Sequence, residues 1–201
     1  MDNICIFAAS SAALEEEYIQ AAYELGRLLA INGFGLVFGG GRTGLMGACA
    51  RGVKSAGGKA VGVIPKRLNV PGIAFEECDE LFVTEDMHER KALMERMSAG
   101  FIALPGGFGT LEELMETLTL NQLGYISAPV VILNQNGFYN ELLAQLGTFA
   151  RRGFTNAACL GLYAEAATPK EAVERLLCYT PPVLPDKIKE AVHLHGKSKT
   201  G

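Results

Sequence analysis

Apolar residues arrive along this chain in short unbroken runs. Each run is followed by a longer stretch in which they return every three or four positions. The runs at residues 3–9, 34–38, 59–64, 80–84, 101–104, 129–133 and 159–163 read as strands. The stretches at 15–31, 45–56, 86–98, 111–122, 138–152 and 169–179 have helical spacing. Asn32-Gly33 and Gly57-Gly58 end two of the helices, Asp86 caps the third, and Pro169 opens the last. Ser10-Ser11 follows the first strand, either capping the next helix, the usual role of serine, or offering hydroxyls to a ligand. Strands apolar on both sides need cover on both faces. Their alternation with helices therefore predicts an α/β, Rossmann-like, doubly wound fold: a mainly parallel sheet with helices on both faces. Residues 65–79 show no period and hold Pro65, Pro71 and Gly72, which predicts a surface loop near any site. Residues 1–180 then form one domain. Pro181-Pro182 and Pro185 break the chain, and 181–201 is read as a tail with a loose amphipathic helix from Lys187.

Two strand-to-helix joins are rich in glycine. After strand 101–104 come Pro105-Gly106-Gly107-Phe108-Gly109-Thr110-Leu111-Glu112-Glu113. The glycines permit a sharp turn and close approach to a ligand, and the helix start offers free N–H groups and a positive dipole end. Glu112 and Glu113 are expected in the first helical turn. Standing alone, the stretch reads equally well as a plain turn with ordinary N-terminal acids. A second stretch of the same kind, Gly39-Gly40-Gly41-Arg42-Thr43-Gly44, follows strand 34–38. Two such joins suggest two sides of one anion-binding crevice at the C-terminal ends of the strands. The spacing differs from the G-x-G-x-x-G fingerprint, so a mononucleotide fits better than NAD.

Composition narrows this further. The 201 residues suit one domain, and a hydrophobic fraction of 49% supplies a core. A net charge of −4 argues against a nucleic-acid surface. No apolar run reaches membrane-spanning length. Met1–Ile6 leads into strand without a basic leader. Cys5, Cys49, Cys78, Cys159 and Cys178 are scattered, with neither a disulfide framework nor metal-ligand spacing. The expectation is a cytoplasmic protein without a metal.

One arginine stands out. On helix 86–98, Met87, Leu93, Met94 and Met97 form an apolar arc with Arg90 in its middle. A guanidinium there must be paired, bind an anion, or snorkel to water. On the helix after the second glycine stretch, the main stripe is Leu111, Leu114, Met115 and Leu118. Glu113 lies opposite with Thr117 and Leu120, an edge that suits a partner subunit or lets the acid meet Arg90 near a ligand.

At these residues the chain resembles the LOG ("lonely guy") proteins. Residues 105–113 match their P-G-G-x-G-T-x-x-E motif. Asp86-Met87-His88-Glu89-Arg90-Lys91 matches their second signature, and residues 39–47 look like their first glycine loop. The similarity runs from Ile4 to about Tyr179. These are cytokinin riboside 5′-monophosphate phosphoribohydrolases, many of them labelled lysine decarboxylases. The resemblance implies a nucleotide-binding Rossmann-like domain, a homodimer with sites near the subunit interface, and catalysis by Arg90 and Glu113. It implies nucleotide contacts at Gly40, Gly41, Met87, Lys91, Gly106, Gly107, Phe108, Gly109, Thr110, Leu111, Glu112 and Thr119, and no cofactor. It departs in one loop, where an Arg-Glu pair of many members is replaced by Leu68-Asn69-Val70-Pro71-Gly72-Ile73. The expected reaction is hydrolysis of a purine riboside 5′-monophosphate to free base and ribose 5-phosphate. The alternatives are a non-catalytic carrier of a phosphorylated nucleotide- or pterin-like ligand, and a pyridoxal-phosphate decarboxylase.

Overall fold

The strands form one all-parallel sheet of seven. The computed structural model describes residues 2–185. The helix expected from Lys187 lies outside them. The strands are β1 (Asn3–Phe7), β2 (Gly35–Phe38), β3 (Ala60–Pro65), β4 (Glu80–Thr84), β5 (Gly100–Ala103), β6 (Val130–Leu133) and β7 (Ala164–Ala166). The helices are α1 (Glu16–Ile31), α2 (Gly44–Ser55), α3 (Met87–Arg96), α4 (Phe108–Leu123), α5 (Asn140–Arg151) and α6 (Pro169–Leu177). The sheet order β4-β3-β2-β1-β5-β6-β7 reverses direction beside β1, the point where a doubly wound sheet opens a crevice.

Alternation along each strand divides the core. Ile4, Ile6, Leu36, Phe38, Ile102 and Leu133 face one layer, which α1, α2 and α6 cover. Cys5, Phe7, Val37, Phe101 and Ile132 face the other, covered by α3, α4 and α5. Both sets are fully buried, as unbroken apolar runs require. The helices α1 and α2 cross at unusually close range. A Cβ on Gly52 would stand 2.0 Å from the Tyr23 carbonyl oxygen, and one on Gly26 would stand 2.1 Å from that of Cys49. Backbone meets backbone there.

Four expectations are corrected. The run 159–163 is a 3₁₀ turn spanning Ala157–Leu162, and the seventh strand follows it. Ser10 and Ser11 cap no helix, because α1 starts at Glu16 behind Glu15. Ser11 instead accepts the N–H of Ala13, and both serines border the crevice. The glycines of the P-G-G-x-G stretch themselves begin α4, with Gly107 as its N-cap, so Glu112 and Glu113 stand in the second turn. The third strand also runs one residue further than expected, through Pro65.

Candidate active site

A crevice of about 560 Å³ opens at the reversal of the sheet. Its floor is the segment that follows β1 (Ala8 to Ser11). Its walls are the first glycine stretch (Gly39, Gly41, Thr43), the start of α4 (Gly107, Gly109, Thr110), and Arg90 with Glu113. Ile64, Leu68, Ile73 and Met87 close the remaining side with apolar surface.

Arg90 and Glu113 form a buried ion pair. Asp86 starts α3 by accepting the N–H groups of His88 and Glu89, which sends Arg90 inward one turn later. Its Nη1 donates to Glu113 Oε1 at 2.6 Å and its Nε to the Val63 carbonyl at 3.1 Å. The two residues are 5% and 7% exposed. Taking charges out of water is costly unless geometry and extra hydrogen bonds offset it, and Arg90 makes both contacts. Burial pushes the Glu113 carboxyl above the ordinary glutamate range, while the Arg90 guanidinium draws it back. The guanidinium also requires Gly39: a Cβ there would lie 2.0 Å from Arg90 Nη2.

The two glycine stretches are engaged differently by the rest of the chain. At α2, the N–H groups of Leu45 and Met46 both point to the Ala9 carbonyl. The Gly40 carbonyl and the Arg42 N–H are likewise engaged by Phe75 and Ile73 of the 65–79 loop, which thereby lies against the crevice. At α4, the N–H groups of Gly107, Phe108, Gly109 and Thr110 have no protein acceptor among the described residues. At the first stretch the N–H groups of Gly41, Thr43 and Gly44 are likewise without a protein acceptor among the described residues, so both joins keep donors of the kind that suits an anion.

The structure brings Arg90, Glu113, Gly41, Met87, Gly107, Gly109 and Thr110 together around the crevice. The other residues implied by the resemblance stand apart from its wall. Gly40 turns toward Ile64 at a φ of 72°. Gly106 packs on the Thr110 side chain. Phe108 projects into solvent, 95% exposed. Leu111 packs toward the α4/α5 core. Lys91 is held by Glu112 and by Glu116, the latter at 2.8 Å. Burial works against its charge, yet the two carboxylates keep its ammonium above the usual lysine range. Thr119 lies nine residues, about 14 Å, along the helix from Thr110. It lines a separate groove of about 370 Å³ between α4, α5 and the 157–162 turn. Ser10 and Ser11 border the crevice, where the ligand alternative to capping would put them; Gly39 and Ile64 are site residues beyond those expected, and only the position of Gly39 directly after a strand signals its role.

The Glu113 edge of α4 also needs correction. Glu113 and Thr117 are buried inside the chain because that edge faces α3. The edge left half-exposed carries Met115, Thr119 and Gln122, which face the groove with Phe149 and Phe154. The apolar arc on α3 is narrower than expected: Met94 is buried with Arg90 and Lys91, while Met87 is 44% exposed beside the crevice.

Fold and site together define a Rossmann-like α/β protein with an open helix N-terminus facing a buried arginine–glutamate pair. Residues 46–176 match a family model described as "Possible lysine decarboxylase". A probable cytokinin riboside 5′-monophosphate phosphoribohydrolase of Oryza sativa subsp. japonica is 43% identical over 89% of this chain and 73% of its own length. A cytokinin riboside 5′-monophosphate phosphoribohydrolase of Arabidopsis thaliana is 43% identical over 89% of this chain and 83% of its own. The chain belongs to this family, the LOG proteins. Among solved structures, the molybdenum cofactor carrier protein of Chlamydomonas reinhardtii superposes with a TM-score of 0.67 at 26% identity, covering 89% of this chain and 99% of its own.

Proposed function

We propose that the crevice hydrolyses the N-glycosidic bond of purine riboside 5′-monophosphates, cytokinin-type or AMP, to free base and ribose 5-phosphate. The observation that carries this reading is the buried Glu113 carboxylate, paired to Arg90, in the same crevice as the free N–H groups of α4. In this reading the 5′-phosphate sits on those N–H groups and fixes the ribose. Cleavage builds positive charge on the ribose, which Glu113 stabilises. The same carboxylate orients or deprotonates the attacking water. Arg90 favours the ionised form of Glu113 and holds it in place. The substrates printed in the names of the rice and Arabidopsis relatives support this assignment.

A carrier reading is favoured by the likeness to the Chlamydomonas protein. It expects tight binding without turnover. A pyridoxal-phosphate decarboxylase needs a free lysine for a Schiff base. No lysine lines the crevice among the described residues, and Lys91 is committed to Glu112 and Glu116. The hydrolase reading is therefore preferred. It is tested by comparing AMP and isopentenyladenosine monophosphate with their nucleosides. Both nucleotides should yield free base and ribose 5-phosphate, and adenosine should not react. Equal turnover of AMP and adenosine would remove the phosphate from the argument.

On this reading the enzyme is one nucleotide-binding domain that works in the cytoplasm. No helix among the described residues is long and apolar enough to cross a membrane. It acts as a homodimer. The support is the apolar groove beside α4, with Phe154 81% exposed at its rim. Light scattering should report a dimer, or an assembly of dimers. A monomer at working concentration would contradict it.

A further inference from the structure

The Pro105–Gly109 loop is held from its stem rather than by side chains of its own. Gly107 and Gly109 have open space where a Cβ would stand, and Phe108 faces solvent. On one side of the stem, the Leu104 N–H donates to the Phe7 carbonyl at 2.9 Å and the Ala9 N–H to the Pro105 carbonyl at 3.3 Å. On the other side, the hydroxyl of buried Tyr139 donates to the Leu104 carbonyl at 2.7 Å. Tyr139 comes from the turn between β6 and α5 and forms no part of the crevice wall.

Tyr139 is itself fixed. Its N–H donates to Asn134 Oδ1 at 2.7 Å. The Asn134 amide nitrogen donates to Glu165 Oε1 at 2.7 Å and to Asn140 Oδ1 at 2.9 Å. A polar chain thus runs from the edge strand β7 to the Leu104 carbonyl, two residues before the first glycine. Burial raises the phenol far above its ordinary range, so the proton stays on the hydroxyl and the donor is constant with pH.

We infer that Tyr139 is a positioning residue, pinning the Leu104 carbonyl so that the N–H groups of Gly107, Phe108 and Gly109 converge on the 5′-phosphate. The inference rests on the phosphate seat proposed above. A side chain that only filled the core would serve equally well as phenylalanine. The test is Tyr139→Phe, which keeps the ring and removes the one donor. Titration calorimetry with AMP and with ribose 5-phosphate needs no turnover, so it stands apart from the hydrolase reading. If the parent binds both ligands but cleaves neither nucleotide, the hydrolase reading fails and the comparison of affinities still holds.

The expected result is about tenfold weaker binding of both ligands, the worth of roughly one displaced hydrogen bond. KM should rise to match, with kcat changed less than about twofold. Unchanged affinity, with or without a lower Tm, overturns the inference. So does a Tyr139→Phe chain that fails to fold, since the hydroxyl would then serve the whole fold. A parent that binds no ribose 5-phosphate overturns it as well.

Discussion

Glu113→Gln is expected to lower kcat on AMP by about 10²-fold or more while the nucleotide still binds. The change keeps size and shape and removes the charge that would face the ribose cation. The replacement amide can still meet Arg90, whose Nη1 lies 2.6 Å from the present carboxylate, so the fold should survive. A folded Glu113→Gln enzyme as fast as the parent would remove Glu113 from the mechanism. A carrier would show altered affinity alone. Arg90→Ala is less clean, because it strands a buried carboxylate at a cost of about 3–5 kcal/mol, and its melting must be measured before its kinetics. The same pair sets a pH dependence. The working form of Glu113 is ionised, and burial raises its pKa above the ordinary glutamate value. Protonation therefore begins at higher pH than for an exposed glutamate. The acid limb of kcat/KM should be shifted upward accordingly, and should disappear as a separate feature in Glu113→Gln.

Gly39→Ala should disable the site nearly as strongly without touching a charged residue. The added Cβ would meet Arg90 Nη2 at 2.0 Å and Met46 Sδ at 3.0 Å. The guanidinium is held at Nε by Val63 and at Nη1 by Glu113, so it yields only by giving up one of these. Misplacement by about 1 Å costs on the order of 10²-fold in rate. The expected outcome is a loss of that size in kcat/KM in a chain that still folds, with the Tm lowered by the contact the buried guanidinium gives up. Parental kcat/KM in Gly39→Ala would show that Arg90 has room to move and that its present geometry is dispensable.

Much of the fold was legible because its signals are local. Unbroken apolar runs followed by helical spacing foretold parallel strands under two helical layers, and the sheet is of that kind. The misread seventh strand shows the limit. Cys159-Leu160-Gly161-Leu162-Tyr163 is apolar enough for a strand but is too short for periodicity to separate it from a turn. The real strand, Ala164-Glu165-Ala166, carries a charge at an edge and gives a weak signal. In the site, Arg90 betrayed itself as a cation among methionines. Its partner could not be read, since a helix edge with an acid and a threonine looks the same whether it meets another helix or another subunit. The Lys91 contacts with Glu112 and Glu116, and the debt of Gly39 to a guanidinium from α3, depend on packing between segments far apart in the chain.

The backbone of Ala9 carries a consequence for how the crevice keeps its shape. Its oxygen takes the N–H groups of Leu45 and Met46 at the start of α2. Its own N–H donates to the Pro105 carbonyl at 3.3 Å, in the stretch that opens α4. A single residue thus ties both helix starts to the chain that leaves β1. The width of the crevice mouth is therefore gauged by main-chain hydrogen bonds that meet at Ala9.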